Sequence, residues 1–286
     1  LGPTPMVYFA LKDRLYDACV MVTGSHNPKS YNGFKMALQS GPVFGPAIQD
    51  IAAIAASGGY ALADNPGEVR DISIRADYIA RLLKDLNAGA GQGMRIAWDA
   101  GHGAASAVLP DLLAALPGEH FALYDTVDGD FPAHHPDPTV DANLTDLIAL
   151  VRDKNCDAGI AFDGDGDRIG VVDQNGHVLR CDTLLGLYAA DVLDTHPGAP
   201  IIGDIKCSGA LFEEIERLGG QAILWKTGHS LIKDKMAELR APLAGELSGH
   251  IFFNDRYYGF DDALYCAIRL INIIAEAKEG GLSSLT

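Results

Sequence analysis

The sequence predicts an α/β fold of repeated mixed or parallel sheets with helices on both faces, and three observations lead there. Short apolar runs alternate with amphipathic stretches along the whole chain of 286 residues, and strand–helix alternation buries sheets between helices. The apolar runs end in polar, glycine-containing loops, and in such folds chemistry gathers at the carboxyl ends of strands. The strand-loop-helix unit also recurs in three blocks, with Pro/Gly-rich breaks at ADNPGEV (63–69) and DQNGHVLRCD (173–182). Three domains are therefore expected, over 1–68, 69–176 and 177–286.

In chain order, LGPTP stands almost directly before a first buried strand, DACVMVTGS (17–25). Helical patterning follows at 45–57 and 72–86. MRIAWDAGHG (94–103) and HFALYDTVDG (120–129) read as strands flanking a helix at 105–116. A helix at 144–154 leads into the strand DAGIAFDGDGD (157–167), and one at 181–194 into PIIGDIKCSG (200–209). Helices at 211–219 and 229–239 come next, and a last one precedes the closing GGLSSLT. Both ends look cut, so a piece of a longer protein is expected.

Composition narrows the function. A formal charge of −16 repels polyphosphate backbones, and no basic stripe with interleaved aromatics is present, so nucleic acid is not an expected partner. No apolar run approaches the roughly 18 residues of a membrane span, and no secretory leader pattern opens the chain. Cys19, Cys156, Cys181, Cys207 and Cys266 form no CxxC pair, which fits reduced thiols in a cytoplasm. The sequon at Asn143 is then incidental.

Four loops carry chemistry. In FDGDGDR (162–168), Asp163, Asp165 and Asp167 alternate with glycines that let the backbone turn tightly, so the carboxylates can converge on one point. Three converging anions call for a hard divalent cation, with Mg2+ expected. The plain alternative is a solvated acidic turn; placement right after an apolar strand favours the metal. An EF-hand is excluded, because Arg168 and Gln174 stand where glycine and glutamate are required. A haloacid-dehalogenase-type phosphatase stays as an alternative, with GFDDALY (259–265) imitating its late acidic pair.

TGSHNP places Ser25 and His26 after the first strand, without the GxSxG pattern of a hydrolase elbow and with no Walker A loop anywhere. Alone, such a loop most often makes a turn with local hydrogen bonds. GELSGH (245–250) alternates Glu246, Ser248 and His250 along what reads as an extended segment, a carboxylate and hydroxyl suited to vicinal sugar hydroxyls. WKTGHSLIK (225–233) supplies Lys226, His229 and Lys233, and DIKCSG adds Lys206; lysines at strand ends of so acidic a chain suggest a local anion site.

In this order TGSHNPKSYNGFK, DAGHG, FPAHHPDP, FDGDGDR, WKTGHSLIK, GELSGH and GFDDALY resemble the α-D-phosphohexomutases, most closely the bacterial phosphomannomutase/phosphoglucomutase branch. The resemblance implies a phosphohexomutase-type architecture and a cytoplasmic enzyme that interconverts hexose 1- and 6-phosphates of mannose or glucose. Ser25 would carry the phosphate, and a hexose 1,6-bisphosphate would be the intermediate. It further implies Mg2+ held by Asp163, Asp165, Asp167 and the phosphate on Ser25. His26, Lys35 and Arg168 would be catalytic beside Ser25, with Lys35 and a histidine as acid/base helpers, and Glu246, Ser248, His250, His229 and Lys206 would bind substrate. Leu247 points away from the glucosamine branch, which stays as an alternative. Family members have four domains, so the start of the first and all of the fourth are expected to be missing, and a catalytically incomplete metal and sugar-phosphate binding fragment is the remaining alternative.

Overall fold

The computed structural model describes residues 1–65, 67–277 and 281–285. Three sheets follow one another along the chain. The first contains β1 (Ala18–Val22), β2 (Phe34–Leu38) and β3 (Gly41–Pro42), antiparallel throughout, between α1 (Thr4–Asp13) and α2 (Pro46–Ser57). A helix therefore stands where the sequence suggested a strand almost at once. Pro3 and Pro5 read as breakers, yet proline is compatible with a first helical turn, where the amide has no partner anyway. Tyr8, Phe9 and Leu11 bury one face of α1.

The second sheet has the order β5-β4-β6-β7-β8. After α3 (Arg75–Leu83) come β4 (Arg95–Asp99), α4 (Leu109–Ala115), β5 (Glu119–Leu123), α5 (Thr145–Lys154), β6 (Ala158–Phe162), β7 (Ile169–Asp173) and β8 (Val178–Leu179). β4, β5 and β6 are parallel, while β7 and β8 return antiparallel. β6 and β7 are buried at every position because α5 covers one face and the later helices α6 (Cys181–Thr195) and α9 (Ala263–Glu276) reach the other, and this explains their unbroken apolar runs.

The third sheet runs β10-β9-β11-β12. It is built from α6 (Cys181–Thr195), β9 (Pro200–Asp204), α7 (Gly209–Arg217), β10 (Gln221–Trp225), α8 (His229–Leu239), β11 (Leu243–Gly245), β12 (Ile251–Phe253) and α9 (Ala263–Glu276). β9, β10 and β11 are parallel and β12 is antiparallel. One apolar core joins the three blocks, from Phe9 through Trp98 and Phe162 to Phe253 and Leu270. Each large side chain fully buried there contributes roughly 1.5–3 kcal/mol. Among the described residues no helix is long and apolar enough to cross a membrane.

Candidate active site

The polar loops at the ends of β1, β6 and β11 converge. In the β6–β7 loop, Asp163 Oδ1 accepts the backbone N–H groups of Gly166 and Asp167 at 3.0 Å and of Arg168 at 3.2 Å. Gly166 sits at φ +75°, a conformation that costs glycine little. Asp163, Asp165 and Asp167 are buried, and an oxygen of each lies within 4.8 Å of the others.

Ser25, at φ +52°, leaves β1 in the left-handed region that non-glycine residues rarely occupy. Its N–H donates to the Thr23 hydroxyl at 2.8 Å, and its hydroxyl donates to Asp165 at 2.9 Å and Asp163 at 3.2 Å. The approach needs a glycine opposite: a Cβ on Gly164 would lie 2.3 Å from the Ser25 carbonyl oxygen. Lys35, from β2, donates to Asp165 at 2.7 Å and to Asp167 at 2.5 Å. Thr4 at the start of α1 also donates to Asp165.

The electrostatics show what the trio lacks. Burial, then Asp167 and Asp165, pushes the Asp163 carboxyl well above the usual carboxylate range. Burial also works against the Asp165 carboxylate, but the Lys35 ammonium, with Thr4 and Ser25 as donors, brings it below that range. For Lys35, burial is opposed and outweighed by Asp167 and Asp165, so the ammonium keeps its proton far above neutrality. Protein cations offset only part of this negative charge, which suits a further hard cation on the same oxygens.

Arg168 Nε lies 3.9 Å from Asp163 and donates to His250 Nε2 at 3.0 Å. That bond leaves the proton on Nδ1, which lies 3.0 Å from Asp261. Asp261 is fully buried and also meets Lys233 at 2.9 Å and His229 at 3.5 Å. His250 stacks on His229 and is itself buried, so it stands behind Arg168 and Asp167 rather than open to a cleft. His26, next to Ser25, is pushed toward its neutral form by burial and then by Arg168.

GELSGH is a tight turn between β11 and β12, not the extended segment its alternation suggested: the Glu246 N–H donates to the His250 carbonyl, and the Gly249 N–H to that of Glu246. The turn still joins carboxylate and hydroxyl, since Ser248 donates to Glu246 at 2.9 Å and the Gly228 N–H donates to its other oxygen at 2.6 Å. Lys206 is exposed and lines a cleft of about 320 Å3 with Ser248, Thr139 and Arg180. A larger cavity, about 790 Å3 between α6, α7 and α9, holds none of the candidate residues. Lys233 is committed to Asp261, while Lys226 is exposed beside the Trp225 ring.

Thr4, Asp261 and the pair His134–Asp99 escaped the reading of the sequence. Thr4 carries no motif. Asp261 lay in the acidic pair of GFDDALY, but its neighbour Asp262 caps α9 through the Tyr265 N–H and accepts from Tyr78 and Tyr257, so the two do not act as a phosphatase pair. His134 binds Asp99 at the end of β4 at 2.9 Å, joining FPAHHPDP to DAGHG.

Comparison with known proteins gives a consistent result. Residues 1–61, 76–176 and 180–286 match the profiles described as phosphoglucomutase/phosphomannomutase, alpha/beta/alpha domains I, II and III. The chain is 44% identical over 279 residues to a phosphomannomutase/phosphoglucomutase of Pseudomonas putida, covering 98% of this chain and 59% of that protein. It is also 44% identical to a phosphoglucomutase of Neisseria meningitidis, over 95% of this chain and 59% of the other. A crystal structure of a phosphoglucomutase/phosphomannomutase family protein from Burkholderia thailandensis superposes with a TM-score of 0.93 at 41% identity, covering 100% of this chain and 63% of that one. The chain thus spans about three fifths of the length of the curated relatives it matches.

Proposed function

The chain belongs to the phosphoglucomutase/phosphomannomutase family, and from that premise we propose that it serves the interconversion of hexose 1-phosphate and hexose 6-phosphate, of mannose or glucose. Ser25 carries the phosphoryl group, and a hexose 1,6-bisphosphate links the two half-reactions. The observation that carries this reading is the Ser25 hydroxyl donating to both Asp165 and Asp163 at the mouth of the buried trio. Residues 1–68, 69–176 and 177–286 act as the three domains that bring these loops together.

Asp163, Asp165 and Asp167 fit a divalent cation, because they form a buried set whose negative charge the protein only partly offsets. A Mg2+ ion on these three carboxylates would neutralise charge on a phosphorylated Ser25 and would supply Lewis acidity for phosphoryl transfer. Lys35 keeps its proton, which suits it to steady the phosphate and donate rather than to act as base. His26, biased to neutrality and adjacent to Ser25, is the better placed acceptor of a proton from the sugar hydroxyl. Arg168, aimed by His250, presents its guanidinium beside Asp163 to phosphate oxygens. Glu246 and Ser248 exchange their mutual bond for two vicinal sugar hydroxyls, Lys206 lines the cleft beside Ser248, and His229 contributes from its stack on His250.

Intact-mass and fragment mass spectrometry after incubation with glucose 1,6-bisphosphate and Mg2+ tests the reading. One acid-stable phosphate on Ser25 is expected, absent in Ser25→Ala. A labile phosphate on Asp163, or none on Ser25, would overturn it.

A further inference from the structure

A second group of metal-ligating side chains closes beside the serine loop and uses none of the acidic trio: ligand atoms of His26, His135 and Asp137 lie within 4.8 Å of one another. His26 Nδ1 is buried without a hydrogen-bond partner, 3.4 Å from Asp137 Oδ2. The other oxygen of Asp137 is already occupied, accepting the Thr139 N–H at 3.0 Å and its hydroxyl at 2.7 Å. Those bonds orient the carboxylate and leave Oδ2 for something else, as outer-shell bonds do around metal ligands. The Asp137 N–H donates to the His135 carbonyl at 2.8 Å across Pro136, fixing the step between these two residues. The His135 ring stands edge-on to His26, with centroids 5.7 Å apart, and is exposed, so an ion can enter from that side.

We propose that His26, His135 and Asp137 bind a divalent transition metal of the Zn2+ class, at a site distinct from the acidic trio. Two imidazoles and one carboxylate suit borderline ions, whereas the all-oxygen trio suits Mg2+. Three protein ligands leave a further position for water or an anion. Because His26 follows Ser25 directly, an ion here fastens the serine loop to the loop after β5. Ligation through Nδ1 would put the remaining His26 proton on Nε2, so a metal-loaded His26 would position the serine loop and would not accept the sugar proton, and the inference holds whether or not Ser25 carries phosphate.

Co2+, followed by its visible ligand-field absorption in the 286-residue chain with Mg2+ in large excess, is the probe. One equivalent should bind without displacement by Mg2+. His135→Ala, an exposed position, should weaken binding by more than about tenfold, since even outer-shell partners of a ligand are worth that much. Asp137→Ala should abolish it, and Asp163→Asn should leave it unchanged. Displacement of Co2+ by Mg2+, or unaltered affinity in His135→Ala, would overturn the proposal.

Discussion

The two loops that meet at the candidate site are held in opposite ways. The acidic loop of residues 163–168 hangs between β6 and β7, strands buried at every position, and its own backbone amides fix Asp163. The serine loop leaves a sheet whose Val20, Val22, Phe34 and Leu38 are exposed, and the helix α2 after that sheet has no buried residue. Beyond the Thr23 bond and its own turn hydrogen bonds, Ser25 is held by the acidic loop, through Asp163, Asp165 and the space that Gly164 leaves. The scaffold therefore lies in the second sheet, and the residue proposed to carry the phosphate takes its place from it. Precision at a site can be imposed across an interface by a better-packed partner.

Substitutions can break that asymmetry. Lys35→Met removes the ammonium from between two buried carboxylates, which should lower the stability of the metal-free chain by about 3–5 kcal/mol. Mg2+ should recover part of the loss; a loss equal with and without Mg2+ in denaturant unfolding would mean the trio is no cation site. Asp163→Asn keeps an acceptor for the three backbone amides while removing a charge. Calorimetry should show Mg2+ affinity down by more than about 100-fold, the upper end of what outer-shell partners alone are worth, with little change in unfolding midpoint. Gly164→Ala sharpens the contrast, because its methyl would meet the Ser25 carbonyl. It should cost about 1–3 kcal/mol and suppress phosphate uptake on Ser25, yet change Mg2+ affinity only slightly. Equal damage to both would show that the loops are one unit.

The same asymmetry decides what could be read from the sequence. β6 and its loop were legible because a continuously buried strand, three aspartates and interleaved glycines are local signals. β2 was missed, since FKMAL is short and half exposed and pairs antiparallel with β1 with no helix between them. β10, β11 and β12 border the loop motifs WKTGHSLIK and GELSGH and were not assigned as strands, and GELSGH looked extended because alternation cannot distinguish a strand from a turn that returns to the next strand. Ser25, Lys35, Arg168 and the trio were all named and are all together. Thr4 was invisible as a partner because it meets Asp165 across a long sequence separation, and Asp261 because it meets His250 from beyond β12, neither of which a spacing rule encodes.

The weakest expected effect concerns the loop after β5, which also leans on a strand-end acid. His134 Nδ1 lies 2.9 Å from the His135 carbonyl and Nε2 2.9 Å from Asp99, so both ring nitrogens face acceptors and both bonds are donated when the ring is protonated. The Asp99 hydrogen bond raises the His134 pKa above its ordinary 6.5, and burial only partly opposes it. The folded state therefore binds this proton more tightly than the unfolded one. The resulting stability is fully present below the ordinary value and is lost as pH rises through the raised one. Denaturant midpoints of wild type and His134→Asn should differ by about 1 kcal/mol near pH 5 and converge toward pH 9. A difference that stays constant over that range would mean that His134 holds Asp99 by shape and not by charge. Residues 135–137 would then owe their position to Pro136 and Thr139, and the loop would count with the self-supporting acidic loop rather than with the serine loop.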